Sequence, residues 1–362
     1  MSQGRIRSVR TRLADSGADA FVVTDPVNIA YLTGFSGVFD GEDAHAVVVD
    51  AESTRIYTDS RYFEVMSGAA DGTCWDVIKV RENLYLTLCT DLVASGVGTL
   101  TLESSVAYGR FRFISERFGG AVEVVDGWVE EVRQVKEPGE VARIAAAAAL
   151  ADRTFDFILP RLVVGAVERD IALDLEVFMR REGSEGVAFP PIVASGPNSA
   201  LPHARVTRRA FEAGDFVKLD FGACVDGYCS DMTRTVVVGC ASQRQREIYA
   251  AVLAANLAGI DAVRPDVPGN VIDAAARALI ASHGFGELFG HGLGHGVGRE
   301  VHELPNVGPR ATRSVLCGSV ITIEPGVYVE GYGGVRIEDL VVVEDAGARL
   351  LSHSTKDLIE TG

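Results

Sequence analysis

Three of the chain's seven histidines, His291, His295 and His302, fall within one run, FGHGLGHGVGREVH, residues 289–302. Alternating glycines forbid a stable helix there, so the run is expected to be extended. In an extended chain the four-residue spacing of His291 and His295 puts both imidazoles on one face. Glycine between them lets a ligand or another backbone approach closely. Imidazole ligates metals and moves protons near neutral pH, so the cluster points to metal or acid–base chemistry. Phosphate-loop chemistry is not indicated, because neither GxGxxG after a strand nor GxxxxGK[ST] occurs. Ser195-Gly196 likewise lacks the GxSxG surroundings of a serine nucleophile.

Carboxylates frame this run in a repeated pattern. GDFVKLDFGACVDGYCSDMTRTVVV starts at Gly214, and GSVITIEPGVYVEGYGGVRIEDLVVV starts at Gly318, an offset of 104 positions. Asp220 matches Glu324 in this register; after a three-residue insertion, Asp231 falls opposite Glu338. Each copy predicts a β-hairpin with Gly-Tyr at its turn and a Val-Val-Val return strand, and the pair predicts pseudo-twofold symmetry. Val217 and Leu219 share one strand face, so Asp220 points to the other. Asp231 and Glu338 are expected within strands among apolar residues, where a carboxylate is costly unless paired or bound to metal. Two local arginines, Arg234 and Arg336, cannot balance four carboxylates. Two divalent cations can, and four carboxylates with one histidine make an oxygen-dominated set that favours Mn²⁺ over Co²⁺, Fe²⁺ or Zn²⁺. Two metals about 3.5–4 Å apart can share a water and lower its pKa.

The elements that must hold these residues come in two parts. Residues 1–132 alternate helix and strand signals: a helix over 5–16, then strands at 20–24, 46–50, 55–58, 75–80, 99–103 and 122–125, an α/β domain. A charged Pro-Gly turn at 135–139 opens the second part, residues 133–362, with helices over 140–159 and 167–182 before strands dominate. This second part is expected to be α+β, with helices around a curved antiparallel sheet.

Composition excludes several classes. With 34 basic against 50 acidic residues the 362-residue chain has a formal net charge of −16, which disfavours nucleic acid and anionic membranes as partners. No apolar run approaches the ~20 residues of a membrane span. Arg5, Arg7, Arg10 and Arg12 stand near the N-terminus without the apolar core of a secretory signal. The six cysteines show no CxxC spacing and are expected to be reduced, mostly buried and cytoplasmic.

Asp220, Asp231, His295, Glu324 and Glu338 resemble the five metal ligands of the pita-bread metallopeptidases, which include aminopeptidase P, prolidase and methionine aminopeptidase. DPVNIAYLTGFSG (residues 25–37) and TDSRY (residues 58–62) resemble the creatinase-type N-terminal domain of the first two. The resemblance implies that Asp231 and Glu338 bridge two metals, with Asp220 on one and His295 and Glu324 on the other. It implies that Glu324 transfers protons, and that His203 and His302 contact the substrate carbonyl. It further implies that His291 is a shuttle or pocket histidine, and that Tyr328 and Arg336 orient the ligands. Substrates would be short peptides with proline second, and the protein a homodimer. In several prolidases an arginine follows His-Glu-x-Pro and grips the dipeptide carboxylate; here Asn306 stands there, with Arg310 four residues on. That difference tilts the expectation toward an Xaa-Pro aminopeptidase, with an Xaa-Pro dipeptidase as the alternative. A metal-free creatinase-like enzyme or a non-catalytic binding protein would be expected to have lost ligands, and none is missing.

Overall fold

The structure, a computed structural model, describes residues 2–35, 37–39 and 44–362, so Ser36 of the DPVNIAYLTGFSG segment lies outside the described residues. It divides into two compact units, Met1–Arg133 and Gln134–Gly362.

The first unit is a six-stranded mixed sheet between helices. Its strands are β1 (Ala20–Val23), β2 (His45–Asp50), β3 (Thr54–Thr58), β4 (Asp76–Lys79), β5 (Thr99–Glu103) and β6 (Ala121–Val125), in the order β4-β3-β2-β1-β5-β6. The helices are α1 (Ser2–Ser16), α2 (Pro26–Thr33), α3 (Phe63–Ala70), α4 (Leu84–Ala94), α5 (Tyr108–Arg117) and α6 (Glu130–Arg133). All four residues of β1 are buried. Phe21 and Val23 pack with Ile6, Val9 and Leu13 of α1, while Ala20 and Val22 pack with Leu88 and Leu92 of α4. A central strand covered on both faces explains the unbroken apolar run Ala-Phe-Val-Val.

The second unit opens with α7 (Pro138–Ile158), whose start is set by a capping box between Glu137 and Glu140 with proline in the first turn. Next come α8 (Glu168–Arg181), β7 (Gly186–Val187) and β8 (Ile192–Ser195). The first repeat copy forms β9 (Phe216–Phe221), β10 (Ala223–Val225), β11 (Tyr228–Cys229) and β12 (Met232–Val238). After α9 (Gln243–Ala262) and α10 (Gly269–Ser282) follow β13 (Gly294–Gly296) and β14 (Glu303–Val307). The second copy forms β15 (Val320–Ile323), β16 (Gly326–Val329), β17 (Gly333–Arg336) and β18 (Asp339–Glu344); β19 (Gly347–Leu350) and β20 (Glu360–Thr361) close the chain.

The same architecture occurs twice. The antiparallel ladder β9–β12 is backed by α7 and α8, where Val217, Leu219 and Val236 pack against Phe155, Ile158, Leu175 and Met179. The ladder β15–β18 is backed by α9 and α10, where Ile321, Ile323 and Val341 pack against Val252, Ala255, Ile272 and Ala276. A small hairpin grows from each ladder: β10–β11 from the first and β16–β17 from the second.

Two details differ from expectation. Only Asp220 lies inside a strand; Glu324 follows β15, Asp231 precedes β12 and Glu338 falls between β17 and β18. Each of these positions is where the chain passes between a ladder and its hairpin, so strand pairing is interrupted there. The cysteines are not mostly buried either: Cys74, Cys240 and Cys317 are exposed in loops, Cys224 is half-buried, and only Cys89 and Cys229 are buried, all six being free thiols. Among the described residues no helix is long and apolar enough to cross a membrane.

Candidate metal centre and active-site pocket

A cavity of about 650 Å³ opens in the second unit, lined by Asp220, Asp231, Glu324 and Glu338 together with His203, His291, His295 and His302. Arg336 also lines it, whereas Tyr328 does not. His295 arrives on β13, clasped between β14 and β15. The flanking glycines are required there, since a Cβ at Gly294 would stand 2.0 Å from the Thr322 carbonyl oxygen and one at Gly296 2.2 Å from that of Leu304.

The orientation of the His295 ring is fixed by the backbone. Its Nδ1 faces the Gly296 carbonyl at 3.1 Å, which leaves Nε2 directed at the carboxylates, 3.4 Å from Glu324 Oε1 and 3.7 Å from Asp231 Oδ2. Burial, and then the neighbouring His302, push its pKa down to about 4, so the ring is neutral and has a lone pair to offer. Ligand atoms of Asp231, His295 and Glu338 all lie within 4.8 Å of one another.

The charge balance of this cluster is unresolved by protein groups. Arg336 pairs with Asp220 and reaches only to 3.9 Å from Glu324. Arg234 is used elsewhere, on Asp339 at 2.7 Å and on the Glu338 backbone carbonyl. Asp231 Oδ1 is buried with no hydrogen-bond partner among the described residues. Burial, followed by repulsion from Glu338, holds the acids of Asp231 and Glu324 well above the usual carboxylate range. Glu338 is pushed up to about 7 by burial and then by Asp220. Buried, mutually repelling oxygens with an orphaned acceptor fit a site built for multivalent cations.

His291 has both ring nitrogens engaged. Nδ1 meets the Gly292 carbonyl at 2.8 Å, and Nε2 meets the Tyr328 hydroxyl at 2.9 Å. Arg336 Nη1 donates to that same hydroxyl at 3.1 Å, so Tyr328 donates onward to His291. With its pKa lowered to about 4, chiefly by burial, His291 is a neutral wall of the pocket. His302 stacks obliquely on His295 with ring centroids 4.2 Å apart and remains exposed to the cavity.

Several positioning residues were missed from sequence. Thr233 donates to Glu338 Oε2 at 2.7 Å and accepts from Arg336 Nε at 2.9 Å. Asn256, buried on α9, donates to the carbonyls of Ile323 and Ile337, the residues just before Glu324 and Glu338. Glu168, fully buried, takes hydrogen bonds from Ser195, Asn198 and Thr207, tying both ends of the loop that bears His203. Lys218 Nζ donates to the carbonyls of Leu201 and Pro202 in that loop. The available signal was a polar side chain in a buried setting: Asn256 among the apolar residues of α9, and Lys218 on the Asp220 face of β9.

Residues 142–345 match the profile of metallopeptidase family M24, and residues 5–135 that of the creatinase/prolidase N-terminal domain. The chain belongs to metallopeptidase family M24. It is therefore a hydrolase of a family that works with a dinuclear metal centre, with the pita-bread fold behind a creatinase-type domain. It is 33% identical to an Xaa-Pro dipeptidase of Pyrococcus horikoshii over 98% of each chain. Among solved structures, an Xaa-Pro dipeptidase from Bacillus anthracis superposes with a TM-score of 0.95 at 34% identity, covering 99% of this chain and 100% of that one. An X-Pro aminopeptidase from Thermotoga maritima gives 0.86 at 35% identity, covering 95% and 98%.

Proposed function

We propose that this M24 enzyme is an Xaa-Pro dipeptidase using two divalent cations, most readily Mn²⁺, held by Asp220, Asp231, His295, Glu324 and Glu338. The observation that carries the proposal is that four carboxylates, three of them buried, line one cavity with the neutral His295, whose Nε2 faces Glu324 and Asp231, while Asp231 Oδ1 has no hydrogen-bond partner among the described residues. Dipeptidases recur among the relatives, and this reverses the lean toward an aminopeptidase drawn from Asn306. Cations bound there would supply Lewis-acid polarisation and an activated water for attack on the scissile carbonyl.

The protein's own groups then do the following. Asp231 and Glu338, one from each repeat copy, hold the centre of the site. Glu324, whose Oε1 lies 3.4 Å from His295 Nε2 at the cavity wall, accepts the proton released on attack. His302 and His203 flank the cavity and donate to the developing oxyanion. Phe189, Pro190 and Ile192 form an apolar wall for the pyrrolidine ring, which has no N–H to satisfy. Arg310, a cation on the same lining, replaces the arginine absent at Asn306 and meets the free carboxylate of a dipeptide. The protein acts in the cytoplasm, in keeping with six free thiols, and as a homodimer, as the family resemblance implies.

The test is a matched set, Ala-Pro, Ala-Pro-Ala and Met-Ala-Ala, assayed before chelation, after chelation and after Mn²⁺ is restored. Ala-Pro should be cleaved at least tenfold faster than the others, activity should vanish on chelation, and Mn²⁺ should restore it. Preference for Ala-Pro-Ala would make the enzyme an aminopeptidase, the reading that Asn306 in the pocket and the Thermotoga maritima relative support. Full activity in metal-free protein would defeat the metal assignment.

A further inference from the structure

Cys224 and Cys229 face each other across the hairpin β10–β11, in register as Cα partners. Their neighbours fix what kind of pair they are. Ser230 N donates to the Ala223 carbonyl, whereas Cys224 N donates to Ser184 Oγ and Cys229 N to the Gly298 carbonyl. The cysteines therefore occupy a non-hydrogen-bonded position of the ladder, where opposed Cα atoms lie closest, at about 4.5 Å. That separation falls inside the roughly 4.4–6.8 Å spanned by disulfides. Each thiol also has a weak partner of its own, Cys224 Sγ donating to Glu185 Oε2 at 3.8 Å and Cys229 Sγ to the Arg299 carbonyl at 3.6 Å. The hairpin is held from outside by the two-residue turn Asp226-Gly227, both at positive φ, and by Glu185, which accepts from Gly227 N at 3.0 Å. Cys224 is half-buried and Cys229 is buried.

We propose that Cys224 and Cys229 form a reversible oxidation site, closed to a disulfide by a peroxide. The more accessible Cys224 sulfur attacks one peroxide oxygen: an S–O bond forms, the O–O bond breaks, and the departing oxygen leaves as water with the thiol proton. Cys229 sulfur then attacks Cys224 sulfur: the S–S bond forms, the S–O bond breaks, and a second water leaves with the Cys229 proton. Two thiols lose two electrons and two protons, and one peroxide becomes two waters. A dithiol reductant reverses the change. Cys229 is followed at two residues by Asp231, so the new bond restrains the segment that delivers a metal carboxylate. Oxidation therefore lowers turnover.

Hydrogen peroxide at a few equivalents is added to the metal-loaded enzyme, followed by non-reducing peptide mapping and assay before and after dithiothreitol. The expected result is a monomer lighter by two hydrogens, a crosslinked Cys224–Cys229 peptide pair, and a turnover reduced at least threefold and recovered on reduction. Cys224→Ser should keep its reduced-state turnover and lose both the crosslink and the reversible inhibition. Peptide mapping reads the site whatever substrate the enzyme prefers, so its failure is separate from failure of the dipeptidase reading. Crosslinks confined to the exposed Cys74, Cys240 and Cys317, or overoxidation of Cys224 without a bond to Cys229, would overturn the site. A bond that forms without changing turnover would overturn its influence on the metal centre.

Discussion

The two copies of the repeat contribute equal charge and unequal machinery. The first copy provides two aspartates, Asp220 and Asp231, and its hairpin turns through two residues with Val225 paired to Tyr228. The second provides two glutamates, Glu324 and Glu338, and its hairpin closes through three residues with Val329 paired to Gly333. Ladder register differs as well: Asp220 stands opposite Thr233 inside β9, but Ile323 opposite Asp339 is the last pair of β15. Pro325 occupies the place of Phe221 in the repeat, and a residue without N–H cannot prolong the ladder. The longer glutamate side chain makes up the reach that the shorter strand loses. The insertion lengthens the turn by one residue and the return strand β17 by two, and brings Arg336 to the pocket, where it serves Asp220 of the other copy and Tyr328 of its own. Both copies supply carboxylates; Arg336 comes from the second alone, while Thr233 of the first orients Glu338 in return.

The sharpest way to break this comparison is at the positions proposed as equivalent. Asp231→Ala and Glu338→Ala should each lower turnover by at least about a thousandfold, roughly 4 kcal/mol of lost transition-state stabilisation, and each should lower bound metal by elemental analysis. A large loss in one variant with near-normal metal content in the other would show that the two copies do not share the centre. A smaller effect is expected where the copies differ. Arg336→Gln keeps hydrogen-bonding capacity but removes the charge from Asp220, and should cost about 10–100-fold in activity with metal affinity weakened by a similar factor. An unchanged metal titration curve would remove Arg336 from the orientation of Asp220.

Much of this arrangement was legible in the sequence because it rests on local pattern. The offset repeat placed Asp220, Asp231, Glu324 and Glu338 in corresponding positions, and the Gly-His run forms no helix, although only Gly294–Gly296 of it is a strand, with His291 and His302 in irregular chain on either side. The strand alternation also holds, with Val217 and Leu219 against the helices and Asp220 on the cavity side. What the pattern could not show depends on distant partners. Asn256 reaches the Ile323 carbonyl across 67 residues and the Ile337 carbonyl across 81, and Glu168 binds Thr207 across 39. Such contacts go largely to backbone groups, which carry no residue signature. The register difference was hidden for another reason: the alignment of the copies counts residues, while Pro325 decides how many of them pair.

The smallest expected effect concerns stability and separates the hairpins themselves. Tyr228 and Tyr332 are equivalent in the repeat, each one residue after the turn glycine. Tyr228 begins a strand, is almost fully buried, and its hydroxyl donates to Glu140 Oε1 on α7 at 2.7 Å. Tyr332 sits in the three-residue loop, half-exposed, with its hydroxyl 3.3 Å from Ser242 Oγ. Removing a buried donor to a carboxylate forfeits a bond to a charged group, whereas water replaces an exposed one. Tyr228→Phe should therefore destabilise the enzyme by about 1.5–3 kcal/mol, and Tyr332→Phe by no more than about 0.5 kcal/mol. Denaturant melts of both variants at fixed metal concentration read the difference through the midpoint, provided the slope is unchanged. Equal losses would mean that the first hairpin is not anchored to α7 through Tyr228, and that the two copies differ only in what they bring to the pocket.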